Sequence, residues 1–248
     1  MSISIHYRFD FSGSEDEAKN FVSRLRSAAV SFQAGEVGLT KDFAGEDANF
    51  PRDFEGENSA LKLAASSWVM VGEKPCSVDA LRFSGFVLFP GEGCEPVPIG
   101  LAKFPATINV HGLEVDTELG DGWHWVCHVK TQYASNPEYG GIQNFLQCHL
   151  TICALLEKAR EFGAVIYVVD DSGFWEHRSV GKLVKSVEQL NELMAGLIGT
   201  MKDVSTDGGI QSPIMEYPNF EHLEAKAMAK PDLAQSLRKV VGEIKHIS

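Results

Sequence analysis

The sequence predicts an α+β fold in which helices pack on one face of a mainly antiparallel sheet. Residues 3–8 alternate between apolar and polar side chains, as a half-buried strand does. Several longer segments repeat their apolar residues at the period of a helix. Both halves of the chain then read as strand, helix and further strands, an order expected of helices laid on an antiparallel sheet. A single large mixed α/β sheet is the alternative.

The first helix is predicted over residues 14–33. Ser14 stands three residues before Glu17, the spacing of a capping box, and the apolar residues that follow share one helical face. Residues 35–57 are rich in Gly, Asp and Glu without a sustained period, so we expect a long loop there. Residues 60–71 fit a short helix and a strand equally well.

Strands are predicted at 81–89, 97–104 and 107–115, because glycine or proline punctuates the gaps between these runs. The run 123–133 is rich in aromatic and β-branched residues, which is typical of a central strand. A second helix is predicted to begin after Gly140-Gly141 and to end at Gly163.

A short apolar strand is predicted at 164–169, and a third helix begins after Ser179. Residues 203–219 contain two glycines and two prolines and are predicted to be a linker. Residues 232–245 form a clearly amphipathic helix, which must bury its apolar stripe. It docks on its own body or on a second subunit, so a homodimer is one of two open alternatives.

Composition narrows the classes of function. The chain has 34 acidic and 22 basic residues and a net charge of −12, so nucleic acid is not an expected partner. No apolar run is long enough to span a membrane, and the first residues lack the pattern of a secretory signal. The five cysteines are odd in number and show no CxxC spacing. We therefore expect a cytoplasmic protein, without membrane association, whose thiols are reduced and form no disulfide.

Two related halves are the predicted domain organisation. The strand with His6-Tyr7-Arg8 leads into a helix, and so does the strand with His128-Val129-Lys130. This echo favours two ferredoxin-like units that share a sheet. The predicted boundaries are 1–120 for the first half, 121–204 for the second, and 205–248 for the linker with its docking helix.

The motifs of nucleotide binding, hydrolase nucleophiles, zinc proteases and calcium loops are all missing from the sequence. The strongest candidate cluster is on the predicted central strand, where His128, Lys130 and Gln132 fall on one face. That face is either solvated or lines a polar cleft. His149 lies in the apolar stripe of the second helix, where it is either a core residue or a general base near Lys130. We expect Lys130 and His149 to face one cleft.

Two further groups of polar residues remain as candidates. Asp170 and Asp171 end a strand, and either act in the turn or, with Glu176, bind a cation or an amine. Cys94-Glu95 sits in a turn between strands, and a simple turn role is its alternative. Cys127 and Cys153, or His128 and His149, meet in space in some arrangements, but no spacing fixes four ligands. We therefore expect no metal and no cofactor.

Several of these segments resemble an uncharacterised bacterial protein family. The similar stretches are Lys130-Thr131-Gln132-Tyr133, Gly140-Gly141, the helix of His149, Asp170-Asp171, Phe174-Trp175-Glu176, Phe89-Pro90 and Cys94-Glu95-Pro96. Related proteins of this ORFan type are described with ferredoxin-like domain repeats. The resemblance implies that fold and a set of polar positions, but it implies no activity.

Two functions follow as hypotheses. The first is a non-enzymatic module that binds a protein or a small ligand. The second is a metal-independent enzyme in which Lys130, His149 and an acid from Asp170, Asp171 or Glu176 are catalytic. The candidate ligand-binding residues are His128, Lys130, Gln132, Tyr133, His149, Asp170, Asp171, Trp175, Glu176, Cys94 and Glu95. No nucleophile–base spacing or cofactor motif is visible, which favours the binding module.

Overall fold

The structure is a computed structural model that describes residues 2–49, 58–204 and 210–245. The strands are β1 (Ser4–Phe11), β2 (Glu36–Val37), β3 (Lys41–Ala44), β4 (Ser67–Val71), β5 (Lys74–Val78), β6 (Arg82–Phe89), β7 (Val97–Lys103), β8 (Thr107–Val110), β9 (Leu113–Asp116), β10 (Trp123–Lys130) and β11 (Val165–Asp170). The helices are α1 (Glu15–Ser31), α2 (Ser59–Ala64), α3 (Gly141–Glu161), α4 (Phe174–His177), α5 (Val180–Val204), α6 (Phe220–Met228) and α7 (Pro231–Lys245).

Seven strands form one sheet in the order β11-β1-β10-β7-β6-β2, and β3 also pairs with β6. Every strand pairing in the described residues is antiparallel, which confirms the predicted α+β class. The part β11-β1-β10-β7, with α1 after β1 and α3 between β10 and β11, has the order of one β-α-β-β-α-β unit. Strands of both predicted halves lie side by side in this sheet, and a ferredoxin-like repeat stays a prediction.

The main core lies between the sheet and the helices α1 and α3, which also pack against each other. Strand alternation turns Ile5, Tyr7 and Phe9 of β1 into this core. The Ser14–Glu17 capping box forms as predicted and starts α1, so that its apolar face meets the sheet. On the other face of β1, β10 and β11, Val126 and Tyr167 are exposed, so this face of the sheet is open.

The predicted loop 35–57 contains structure that the local sequence does not reveal. Both β2 and β3 lie within it, and both pair with β6, more than 35 residues further along the chain. Residues 50–57 lie outside the described part.

The ambiguous stretch 60–71 contains both elements, α2 and then β4, which pairs with the unpredicted β5. The predicted strand 107–115 is a hairpin, β8 and β9, turned by His111 and Gly112 with positive φ.

A second, smaller core joins the C-terminal helices to α5. Its residues are Ala195, Ile198, Ile214, Tyr217, Phe220 and Leu223. Ile214 and Tyr217 are buried although they fall in the predicted linker 203–219, of which 205–209 lies outside the described part. The helix α6 was not predicted, because it is short and only Phe220, Leu223 and Ala227 are buried on it. The helix α7 contacts α5 and α6, so in the described chain it docks on its own body.

None of the described helices combines the length and the apolar character that crossing a bilayer requires.

Candidate functional site

The candidate site lies where β1 begins and where β10 and β11 end. Ser4 of β1 stands opposite Lys130 of β10. On its other side, the Ser4 backbone N–H donates to Oδ2 of Asp171 at 3.0 Å, and the Asp171 N–H donates to the Ser4 carbonyl at 3.1 Å. Since neighbouring strands are about 4.8 Å apart, the backbones at Lys130 and Asp171 lie roughly 10 Å apart across Ser4.

A cleft of about 720 Å³ covers these strand ends on the open side of the sheet. Its floor comes from the strands and their ends, and its wall comes from α5. The lining residues are Ser2, Ile3, Ser4, His6, His128, Lys130, Asp171, Ser186, Gln189, Leu190 and Leu193. It is larger than the cleft of about 390 Å³ that lies between α3, α5 and α6. Ammonium, carboxylate, imidazole and amide groups therefore meet at one concave surface beside two leucines.

Two imidazole rings form part of this floor. His6 and His128 are directly opposite each other in the β1–β10 register. Their rings stack with centroids 5.5 Å apart and planes inclined by 23°. The similarity between the two His-containing strands predicted a repeat of domains. In the structure these two strands are neighbours, and His6 and His128 form a cross-strand pair. His6 was not among the predicted site residues, although its outward phase on β1 matches that of His128 on β10.

Lys130 is held at the rim of the cleft by the loop before β7. Its Nζ is 3.5 Å from Oε1 of Glu95, and its backbone N–H donates to Oε2 of the same carboxylate at 2.9 Å. The Cys94 thiol lies 3.8 Å from the Lys130 carbonyl oxygen. The structure thus brings Cys94 and Glu95 to Lys130, a grouping that the sequence did not predict. The ammonium and the carboxylate are both about two-fifths exposed, so a ligand can compete for Lys130 at little cost.

His149 and Asp170 form a buried pair on the core side of the same strand ends. His149 Nε2 lies 3.2 Å from Asp170 Oδ2, and both side chains are fully buried. His149 Nδ1 lies 3.0 Å from Thr131 Oγ1. The other carboxylate oxygen, Oδ1, accepts hydrogen bonds from the Ser172 backbone N–H at 2.9 Å and from its hydroxyl at 2.7 Å. The Trp175 N–H donates to Oδ2 at 2.9 Å, so each polar group of the pair is satisfied.

These contacts decide the ionisation of Asp170. Burial disfavours its charged form, but the hydrogen bond and charge of His149 and the hydrogen bonds from Ser172 outweigh burial. They lower the pKa of Asp170 to about 2. The carboxylate is therefore a permanent negative charge at neutral pH, and it fixes α3 to the end of β11.

Lys130 and His149 do not face a common cleft, so that prediction is wrong. Lys130 lies on the open side of the sheet beside Glu95, whereas His149 is fully buried against Thr131 and Asp170. The reason is strand alternation: Thr131, which contacts His149, directly follows Lys130 and points to the opposite side. The enzyme hypothesis loses the geometry that it required, because its base and its lysine are on different sides of the strand ends.

Gln132 and Tyr133 are also outside the cleft. Gln132 is fully buried, and its amide N–H donates to Asn191 Oδ1 of α5 at 3.1 Å. Asn191 in turn donates to the Ser135 hydroxyl at 2.9 Å, which also contacts the Tyr217 hydroxyl at 2.9 Å. Tyr133 packs against the smaller core. Both residues serve the attachment of the C-terminal helices, which no local pattern indicated.

Trp175 and Glu176 lie on α4, away from the cleft lining. The Trp175 ring is flanked by the guanidinium groups of Arg160 and Arg178, at 5.2 Å and 4.3 Å from its centroid. Glu176 is exposed and does not line the cleft. Of the predicted residues, His128, Lys130 and Asp171 line the cleft.

All five cysteines are free thiols in the structure. The interaction between the thiols of Cys94 and Cys148, together with burial, raises the pKa of Cys94, and the same interaction lowers the pKa of Cys148. Burial raises the pKa of Cys127 to about 11 and that of Cys153 to about 12. The absence of disulfides under native conditions stays a prediction.

No family model, curated protein or solved structure matches this chain in any of three comparisons of sequence and structure.

Proposed function

We propose that this chain is a non-enzymatic module that binds a small polar ligand in the cleft between the strand ends and α5. The observation that carries the proposal is the cleft itself, with a volume of about 720 Å³. This volume is typical of small-molecule sites, which combine apolar walls with a few converging polar groups. Here Leu190 and Leu193 provide the apolar wall, and Lys130 and Asp171 provide opposite charges.

The charges indicate the chemistry of the ligand. Lys130 favours a carboxylate or another anionic group, and Asp171 has a carboxylate oxygen that is not used by Ser4 and accepts from an ammonium or amide. The two positions are roughly 10 Å apart at the backbone, and the long side chain of Lys130 can reach a ligand that also contacts the shorter side chain of Asp171. A small zwitterion with separated charges, of the amino-acid type, fits this arrangement best.

The non-enzymatic assignment is supported by the state of the buried imidazole. His149 contacts Thr131 and Asp170 in the interior, with no exposed surface through which a substrate would reach it. In the described residues, the groups that remain in the cleft are suited to recognition by charge and hydrogen bonding. The cytoplasmic location and the absence of nucleic-acid partners stay predictions from composition.

The proposal is tested by calorimetric titration of the full-length protein with a panel of amino acids, diamines and dicarboxylates. Lys130→Met keeps the length of the side chain but removes its charge, and Asp171→Asn keeps an oxygen that can accept from the Ser4 N–H. We expect each variant to weaken binding of an amino-acid probe by about tenfold or more, the usual effect of losing one charge-assisted hydrogen bond.

Two variants serve as matched controls. Lys185→Met removes an exposed lysine of α5 that does not line the cleft, and Glu176→Gln removes an exposed acid outside it. Both should bind like the unaltered protein. The proposal is wrong if no member of the panel binds, or if the four variants weaken binding equally.

A further inference from the structure

A nitrogen, a sulfur and a carboxylate oxygen converge in the interior beside the cleft. The ligating atoms of His149, Cys153 and Asp170 all lie within 4.8 Å of one another, and all three residues are buried. We propose that these residues bind a zinc ion at a structural site that joins α3 to the end of β11. This site is independent of the ligand proposed for the cleft, and it replaces the expectation from sequence that no metal is bound.

The positions of the ligands follow from the local structure. His149 and Cys153 are four residues apart on α3, so both side chains project from one face of the helix. Asp170 is the last residue of β11, which the sheet places beside that face. The sequence contains the His-x-x-x-Cys spacing, but Asp170 joins it only through the fold.

The distances suit a tetrahedral ion. Two ligands bound at about 2.0–2.1 Å to tetrahedral zinc lie roughly 3.3 Å apart, and a thiolate at about 2.3 Å lies roughly 3.6 Å from each of them. His149 Nε2 and Asp170 Oδ2 are already 3.2 Å apart. The Cys153 sulfur, within 4.8 Å of both, has to approach by at most about 1.2 Å to reach roughly 3.6 Å, which a change in its single side-chain torsion provides.

The outer contacts of this cluster are those that orient metal ligands. A histidine that binds metal through Nε2 carries its proton on Nδ1, and Thr131 Oγ1 lies 3.0 Å from that atom to accept it. Asp170 Oδ1 is fixed by the backbone N–H and the hydroxyl of Ser172, and Oδ2, which accepts from the Trp175 N–H, keeps a second lone pair turned to the imidazole. No hydrogen bond to the Cys153 thiol is found in the described residues, so binding of its sulfur breaks no such contact.

The ligand set selects the metal. A thiolate and an imidazole favour zinc over calcium and magnesium, which prefer oxygen ligands. When zinc binds, the S–H bond of Cys153 breaks, its proton passes to solvent, and the sulfur lone pair forms the bond to the metal. Three protein ligands leave one position of a tetrahedral zinc ion, and the Ser172 hydroxyl, 3.5 Å from His149 Nε2, lies beside the cluster. The rings of Phe145 and Phe174 pack around the imidazole, and all three ligands are buried, so a substrate has no access to the ion and its role would be structural.

The test uses the full-length protein, stripped with a chelator and reconstituted with zinc chloride or cobalt chloride. We expect one zinc per chain by elemental analysis after desalting. We also expect the cobalt form to show a thiolate-to-cobalt charge-transfer band in the near ultraviolet. Cys153→Ser should abolish that band, and Thr131→Val should weaken zinc binding by about 10- to 100-fold, the usual effect of removing an outer-shell partner.

Cys148→Ser is the matched control, because it removes a buried thiol from the same helix, next to His149 but outside the cluster. It should retain both the zinc and the cobalt band. A reconstituted protein that holds well under one zinc per chain overturns the proposal. So does a cobalt spectrum without the thiolate band, or a band that survives in Cys153→Ser. The first two results come from the unaltered protein and stand even where a variant fails to fold.

Discussion

At the scale of single residues, the buried pair of Asp170 and His149 is the most consequential polar contact in the structure. An ionised carboxylate in the interior would cost several kcal/mol if it had no partners. Asp170 accepts hydrogen bonds from His149, Ser172 and the Trp175 backbone, and these keep it charged. The depressed pKa of Asp170, about 2, means that protonation of this group opposes folding.

We predict that metal-free protein loses stability as the pH falls from about 4 to about 2 because of Asp170. A carboxyl with a lowered folded-state pKa stabilises the fold above its unfolded pKa of about 3.9, and that contribution of about 2–3 kcal/mol disappears as the pH falls through the folded value. Urea unfolding in the presence of a chelator, at several pH values, measures the slope. Asp170→Asn should be less stable at neutral pH and should lack this acid-dependent loss. Glu176→Gln, at an exposed carboxyl, should retain it, and an unchanged profile for Asp170→Asn would contradict the prediction.

At the scale of elements, the contact of α5 with α6 and α7 depends on the absence of a side chain at Gly196. A Cβ at this position would lie 2.6 Å from the Ala227 Cβ and 2.9 Å from a methyl carbon of Leu237. Real Cβ atoms do not approach that closely, so the helices would have to separate. The close approach lets Leu237 and Ala227 fill the space against α5, and both are buried.

We predict that Gly196→Ala destabilises the protein by about 1–3 kcal/mol, the usual cost of overpacking, despite the better helix propensity of alanine. Gly181→Ala is the matched control on the same helix, because a Cβ there meets nothing within 4 Å. It should be neutral or should stabilise by up to about 1 kcal/mol. Denaturant unfolding of the two variants compares them directly. Equal effects of the two substitutions would show that the close packing at Gly196 is not needed.

At the scale of the whole molecule, the C-terminal helices α6 and α7 pack against α5 of the same chain. The helix α7 buries Ala234, Leu237 and Val241, while Val240 of its predicted stripe remains exposed. The side chain of Ile244, also in that stripe, lies outside the described part. The second core and the buried Gln132–Asn191 contact then join this region to the strand ends. Docking in cis therefore accounts for the apolar face that the sequence left without an assigned partner.

We predict that truncation at residue 205 lowers stability without changing the number of subunits. Removal of α6 and α7 exposes Ala195 and Ile198 of α5, so the loss of buried area should cost several kcal/mol. Light scattering measures the mass of full-length and truncated chains, and a truncation after Lys230 that removes α7 alone keeps the comparison available for a folded product. A dimeric full-length protein that becomes monomeric on truncation would show that the helix also acts between subunits.

The helices were largely predictable because their signals are local. The capping box at Ser14 and the apolar period of α1, α3, α5 and α7 arise from contacts within a few residues along the chain. The short strands β2 and β3 were not predictable, because their own residues show no sustained apolar period. They form strands by pairing with β6, which is distant in the sequence. The helix α6 was missed for a similar reason, since its stability comes from α5.

The candidate site, like the fold, was predictable only where contacts between neighbouring residues determine it. The sequence by itself determined the fold class, the long helices and the outward phase of His128 and Lys130, because hydrogen bonding within helices and alternation along strands are properties of neighbouring residues. Only the tertiary structure decided that His6 stacks on His128, that His149 contacts Asp170, and that Lys130 faces away from both members of that pair. Those outcomes depend on strand register and on which strands become neighbours, and residues far apart in the chain fix both.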